Sequence, residues 1–197
     1  MVMSKILVRN MEVIKEQIRR DFKTRRRSLS CEHVRINSDK ICENFLDSDI
    51  YKNCQNILAY STIQNEVDLS QIINQALLDN KNLFLPRVEG DSMNFYRINN
   101  TDKLQIGSFD ILEPQNGTMY QDATNSIMLV PGIAFSTEGA RIGFGKGFYD
   151  KYLSQHNSIL KIGIAYDWQI TKSWETNEFD INMNMIITEK REVKIYD

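Results

Sequence analysis

Apolar residues recur every four positions near the start of the chain, at Ile14, Ile18 and Phe22. That spacing predicts one stripe of an amphipathic helix. Lys15, Arg19 and Lys23 repeat it on a neighbouring stripe, about 100° around the axis. Ser30 stands where a second helix, reaching to about Leu46, needs its N-cap. The period then shortens. Asn56 to Tyr60 reads as a short buried strand that ends in the polar turn Ser61 to Asn65. Asp68 is placed to cap a helix carrying Ile72, Ile73, Ala76, Leu77 and Leu78. Leu83-Phe84-Leu85 is a strand stopped by Pro86, and Met93 to Ile98 forms another beyond the turn Val88 to Asp91.

An irregular stretch with Gly107, Pro114 and Gly117 comes next, after which Ile127 to Val130 restarts the sheet. A helix over about Phe148 to Gln155 follows, then strands at Leu160–Ala165 and Met185–Thr188. Strands alternating with helices predict an α/β fold with a largely parallel sheet flanked by helices. Ligands of such sheets bind beyond the carboxyl ends of strands. Two segments hold that position: the turn after Tyr60 and a glycine-rich loop after Val130.

Composition narrows the function classes. A chain of 197 residues suffices for one domain with a terminal helical extension, and 42% hydrophobic with 25% charged residues is ordinary for a soluble globular protein. The net charge of -2 gives no reason to invoke nucleic acid. Locally the picture differs: Lys15, Arg19, Arg20, Lys23, Arg25, Arg26 and Arg27 face only Glu16 and Asp21. In isolation such a run is a solvated helix face, and Arg25 to Arg27 are expected at the surface or beside acidic neighbours. Cys31, Cys42 and Cys54 form no C-x-x-C pair, so free thiols in a reducing cytoplasm are expected rather than disulfides or zinc. No secretory signal and no run of 18 apolar residues is present, which predicts a cytoplasmic protein off the membrane. His33 and His156 fall outside every motif.

The densest chemistry lies in Val130 to Leu153. Gly139, Gly143, Gly145 and Gly147 are four of nine glycines, interleaved with Arg141 and Lys146 and followed by Phe148-Tyr149-Asp150. Bare backbone amides, fixed cations and a helix start together suit a polyphosphate. The loop is not a Walker A motif, because Gly145-Lys146 is followed by Gly147 rather than a hydroxyl. Nor is it G-x-G-x-x-G, because Phe148 occupies the last glycine's place. The residues alone leave open a phosphate cradle or a structural turn.

The string PGIAFSTEGARIGFGKGFYDKYL resembles the C-terminal signature of the 5-formyltetrahydrofolate cyclo-ligase family, P-G-h-A-F-x-x-x-G-x-R-h-G-x-G-x-G-[YF]-Y-D with h apolar, at every fixed position. A Gln64-Asn65-Glu66 turn, a Leu85-Pro86-Arg87 step and Asn177-Glu178-Phe179-Asp180 fit less specifically. The resemblance runs from about Lys15 onward, so residues 1–14 read as an extension of one domain spanning 1–197.

The resemblance implies a monomer with a Rossmann-like sheet that closes a ring on 5-formyltetrahydrofolate using ATP and magnesium. The formyl oxygen attacks the γ-phosphate, N10 attacks the formyl carbon, and phosphate leaves to give 5,10-methenyltetrahydrofolate and ADP. Arg141 and Lys146 would stabilise the transferred phosphoryl group as the catalytic pair. Lys15, Arg19 and the loop Arg141, Ile142, Gly143, Phe144, Gly145, Lys146, Gly147, Phe148 and Tyr149 would hold ATP. Ser61 and Glu66, with Phe144 to Phe148, would hold the folate. A carboxylate such as Glu66 accepts paired hydrogen bonds from an aminopyrimidine edge, and Met93, Phe95 and Tyr96 offer an apolar wall. Asp150 and Asp180 would ligate magnesium.

Four positions depart from the pattern of many relatives: Ser136 and Asn184 in place of aspartates, Phe144 in place of an arginine, and Phe148 in place of a tyrosine. Rival readings are a different phosphoryl-transfer enzyme or small-molecule kinase using the same loop, and an RNA-binding module using the N-terminal arginines. The second lacks an aromatic platform among its cations.

Overall fold

The structure is a computed structural model that describes residues 2–101, 103–177 and 179–195. Helix α1 (Val2–Arg27) leads into α2 (Cys31–Asp47) and the short α3 (Asp49–Asn53). Strand β1 (Asn56–Leu58), α4 (Ser70–Leu78), β2 (Asn82–Glu89) and β3 (Ser92–Ile98) follow. A small ribbon, β4 (Leu104–Ile106) with β5 (Leu112–Pro114), precedes β6 (Ser126–Pro131). Next come β7 (Ala134–Ser136), β8 (Arg141–Ile142), α5 (Phe148–Gln155) and β9 (Leu160–Ile164). The chain closes with β10 (Ile170–Thr171), β11 (Met185–Ile187) and β12 (Glu192–Lys194).

The main sheet has the order β12-β11-β9-β6-β1-β2-β3. Its five inner strands run parallel and each edge strand is antiparallel, which is the largely parallel sheet expected. Alternate residues along each strand serve opposite faces. Ile57, Leu83, Leu129 and Ile187 pack with Ile41, Phe45 and Ile72 of α2 and α4. Leu58, Phe84, Val130 and Ile186 pack with Tyr152 and Leu153 of α5 and with Phe95. Among the described residues, no helix is long and apolar enough to cross a membrane.

Local rules account for most boundaries. Ser30 caps α2 by accepting the His33 amide (3.1 Å), and Asp68 accepts the Ser70 amide (2.9 Å) one residue before the N-cap position of α4. Pro86 does not stop β2. By Pro86 the ladder with β1 has ended at Leu58↔Phe84, leaving β3 as sole neighbour, and a missing N–H is tolerated where a strand has one free side. The helix stripe also differs from expectation. Ile14 is exposed, whereas Met11, Lys15 and Arg26 are buried, with Ile18 and Phe22 seated against Ile133, Ala134 and Ile142. Cys42 and Cys54 are buried and Cys31 is exposed, all three free.

The glycine-rich segment is not one loop. Between β6 and Gly143 the chain makes a hairpin of β7 and β8, which joins β10 in a second, three-stranded sheet. Gly139 belongs to that hairpin's turn, at φ +88°, where a Cβ would stand 2.7 Å from the Met183 carbonyl oxygen. Ser136 holds the same turn, its hydroxyl accepting the amides of Glu138 (3.2 Å) and Ala140 (3.0 Å). A serine therefore satisfies this position, which is buried and structural.

Candidate active site

A cleft of about 500 Å³ opens where α1, the turn after β1, the β2–β3 hairpin and the 143–147 loop converge. Lys15, Arg19, Ser61, Glu66, the whole stretch Arg141 to Asp150 and Asp180 all line it. Residues separated by up to 165 positions are thus gathered around one volume.

Part of the cleft's lining is cationic. Lys15, buried, forms an ion pair with Asp180, whose Oδ2 also accepts the Asn177 amide (2.8 Å). Glu178 of that segment lies outside the described residues. Arg19 donates from Nε to the Gly143 carbonyl (2.9 Å) and pairs with Glu16, which ties α1 to the glycine loop. Arg141 donates to Asp150 (2.9 Å) and to the Pro131 carbonyl (3.3 Å), with its guanidinium 5.5 Å from the Tyr149 ring centre. Its Nε is buried without a partner among the described residues. A Cβ on Gly143 would approach Arg141 Nη1 to 2.7 Å, so glycine there admits the guanidinium. Gly145 (φ +101°) and Gly147 (φ +71°) are left-handed, a conformation glycine adopts at little cost, and Gly147 is the N-cap of α5. Lys146 stands exposed between them. Ile142 turns its side chain into the apolar patch under α1.

Asp150 and Asp180 lie on the same cleft, each already held by a cation. No group of three or more His, Cys, Asp or Glu side chains suited to a metal occurs among the described residues. That donor set fits magnesium, which takes one or two carboxylates and completes its shell with phosphate oxygens and water. It does not fit a metal held by protein alone. Asn184 takes no part: its side-chain oxygen accepts the Lys161 amide (2.9 Å) beside the sheet.

The lining is also apolar and acidic: Pro86, Val88, Met93 and Ile111 contribute to it, as do Glu66 and Glu113. Phe95, by contrast, is core, and the Tyr96 hydroxyl is bound to Glu89. Gln64 (φ +46°) and Asn65 (φ +59°) make the tight turn that aims Glu66, and Asn65 anchors it by donating to the carbonyls of Arg26 (3.2 Å) and Leu29 (3.3 Å). Glu66 Oε2 accepts the Ile63 amide (3.2 Å) and Oε1 meets Arg26 Nη1 at 3.4 Å. Ser61 donates to the Leu112 carbonyl (2.6 Å), fastening β5 to the turn.

Burial governs the titration here. It pushes the Glu66 carboxyl up to about 7 despite the pull of Arg26. It also lowers Arg26. Both shifts have one cause: at 3.4 Å the pair's attraction does not offset the water each charge has lost. Burial, then the charge of Glu66, raises the phenols of Tyr60 and Tyr149.

Arg26 takes the acidic neighbour, one of its two expected places: it is buried, donating to Glu66 and to the Gly132 carbonyl (3.3 Å), and what the sequence reading lacks is its part beside the cleft. A signal for it existed: positions 15, 19, 22 and 26 fall on one helix stripe. Its neighbour Arg25 lies over the Trp168 ring (4.5 Å). Glu113 had no signal beyond its residue type. Lys23 (5.1 Å) and Arg26 (5.0 Å) both lie over the Phe144 ring, which stands where the resemblance leads one to expect an arginine.

Comparison with known proteins agrees with this geometry. The 5-formyltetrahydrofolate cyclo-ligase family model matches residues 11–189. The mouse 5-formyltetrahydrofolate cyclo-ligase is 26% identical, covering 89% of this chain and 93% of its own. The solution structure of Aquifex aeolicus 5,10-methenyltetrahydrofolate synthetase superposes with a TM-score of 0.84 at 34% identity, over 93% of this chain and 94% of that one. The Mycoplasma pneumoniae 5,10-methenyltetrahydrofolate synthetase shares the fold, with a TM-score of 0.73 at 24% identity over 89% and 98% of the two chains. A signature spread along the cationic wall, a matching fold and a model that spans all but the chain's ends place this protein in the 5-formyltetrahydrofolate cyclo-ligase family.

Proposed function

We propose that the cleft closes the ring of 5-formyltetrahydrofolate to 5,10-methenyltetrahydrofolate, consuming ATP and releasing ADP and phosphate. The observation that carries this is the mixed lining of one cleft: four cationic side chains (Lys15, Arg19, Arg141, Lys146) and a glycine backbone face the same volume as the apolar Pro86, Val88, Met93 and Ile111 and the carboxylates of Glu66 and Glu113. A triphosphate suits the first set and a reduced pteridine the second.

In this reading the formyl oxygen attacks the γ-phosphorus as the bond to ADP breaks. N10 then attacks the formyl carbon and gives up its proton, and phosphate leaves with the C–O bond electrons. The chain supplies no nucleophile. It positions both substrates and neutralises the transferring group. Lys15 and Arg19 hold ATP phosphates from α1; Arg141 and Lys146 face the charge that develops on the phosphoryl oxygens. Glu66 accepts the aminopyrimidine donors of the pteridine. Asp150 and Asp180 would hold magnesium, which when bound draws charge from the phosphate oxygens. The ion pairs Lys15–Asp180 and Arg141–Asp150 keep those four groups in place meanwhile.

The test is direct. Purified protein with ATP, magnesium and 5-formyltetrahydrofolate should develop the near-ultraviolet absorbance of the methenyl product, one ADP per product. A folded protein that binds ATP yet gives no absorbance change refutes the reading.

A further inference from the structure

Two carboxylates that line the cleft are buried, Glu66 at 5% exposure and Glu113 at 4%. They are held differently. Glu66 has Arg26 beside it, whereas no Lys, Arg or His nitrogen lies within 4.0 Å of Glu113 among the described residues. Its Oε1 accepts the Val88 amide (3.3 Å), and Oε2 takes no hydrogen bond from the described residues. Carboxylates without a cation are costly to bury, and they persist where something else supplies donors.

The chain also makes room for this side chain. A Cβ on Gly107 would lie 2.2 Å from Glu113 Oε2, 2.5 Å from Cδ and 2.9 Å from Cγ. The glutamate is therefore packed along the bare Cα of Gly107, and any other residue there would displace it. Val88, Met93 and Ile111 line the cleft around it, an apolar setting in which an N–H donor gains more than it would in water.

A reduced pteridine carries its amino group, N3–H and N8–H, about as many N–H bonds as a carboxylate with no other partner accepts in all. Glu66 already receives the Ile63 amide and Arg26. We infer that Glu113 is a second pteridine-recognition residue, accepting N–H donors of the substrate's reduced ring. This rests on the reading above that folate lies against the apolar lining.

The experiment compares Glu113→Gln with wild type. Glutamine keeps a carbonyl for the Val88 amide but removes the charge and sets an NH₂ against the ring. Calorimetry without ATP should show 5-formyltetrahydrofolate bound at least tenfold more weakly, with the ATP KM within twofold and the melting temperature unchanged. The fragment 5-formyltetrahydropterin, lacking the aminobenzoylglutamate, should lose affinity by the same factor. Gly107→Ala, which displaces the carboxylate without altering it, should reproduce the folate loss and serves as the test if Glu113→Gln does not fold. Unchanged folate affinity in the Glu113 variant, beside a loss in Glu66→Gln, overturns the inference and leaves the cleft assignment standing. Loss for the full folate but not for the fragment also overturns it. If neither carboxylate variant weakens folate binding, the inference falls together with the placing of folate.

Discussion

Lys15 Nζ and Asp180 Oδ2 meet as an ion pair across 165 positions of sequence, joining the first helix to the turn that precedes the last parallel strand. The pair is asymmetric, with side-chain exposure of 6% for the lysine and 19% for the aspartate. Removing the aspartate strands a buried charge; removing the lysine strands one that water can reach. Asp180→Asn should therefore cost about 1–3 kcal/mol of stability, while Lys15→Met, which keeps the volume, melts near wild type. Lys15→Met should also raise the ATP KM by about 10- to 100-fold, a charge-assisted contact of roughly 1.4–2.7 kcal/mol, and leave the folate KM alone. Equal changes in both KM values would return Lys15 to a purely structural role.

Arg141 presents a different split. Its guanidinium is fixed by Pro131 and Asp150 before any substrate arrives. Arg141→Ala is expected to lower kcat by about 10²–10³-fold, the usual cost of losing a preorganised charge donor, with a smaller effect on the ATP KM. Asp150→Asn should instead raise the magnesium concentration for half-maximal rate. A magnesium titration that superposes on wild type would remove Asp150 as a ligand.

Glu66 carries the pH dependence. Burial pushes its carboxyl up to about 7, so it ionises across the neutral range. With the ionised form taking pteridine donors, the folate KM should fall as pH rises from about 6 to about 8, and Glu66→Gln should flatten that limb. Stability runs the other way. The folded value lies above the ordinary 4.5, so the folded state holds this proton more tightly. Its stabilising contribution is full below about 4.5 and is lost as pH rises through about 7. Denaturant midpoints of wild type should drop between pH 5 and pH 8 by more than those of Glu66→Gln. A parallel drop in both would show that another group titrates.

Phe135 is gripped by two glycines. A Cβ on Gly132 would lie 2.5 Å from its ring and one on Gly163 2.7 Å away. Gly163→Ala should destabilise by about 1–3 kcal/mol through overpacking, seen as a melting temperature lower by several degrees. Melting at the wild-type temperature would mean that the ring shifts at no cost.

Much of the architecture is legible in the pattern of Ile57 to Tyr60, Ile127 to Val130 and Leu160 to Ile164, because buried parallel strands need continuous apolar runs. The cationic wall is legible too, since close approach of backbone to a ligand restricts the residue type to glycine. What escapes the pattern is contact between distant segments. Nothing near Glu113 announces that Val88 and Gly107 enclose it, and a run of three arginines does not say which one turns inward. The hairpin β7–β8 is hidden for a related reason. Its strands are three and two residues long and owe their pairing to each other and to β10, not to a period of their own.

Phe144 holds Lys23 and Arg26 against one ring, 5.1 and 5.0 Å from its centre. The charge here resides on the helix, and the loop offers a surface for it. An arginine at 144 would bring a third cation to Lys23 and Arg26, the second of them buried. The identity of residue 144 is thus coupled to residues 23 and 26: Phe144→Arg would be deleterious unless the helix changed as well.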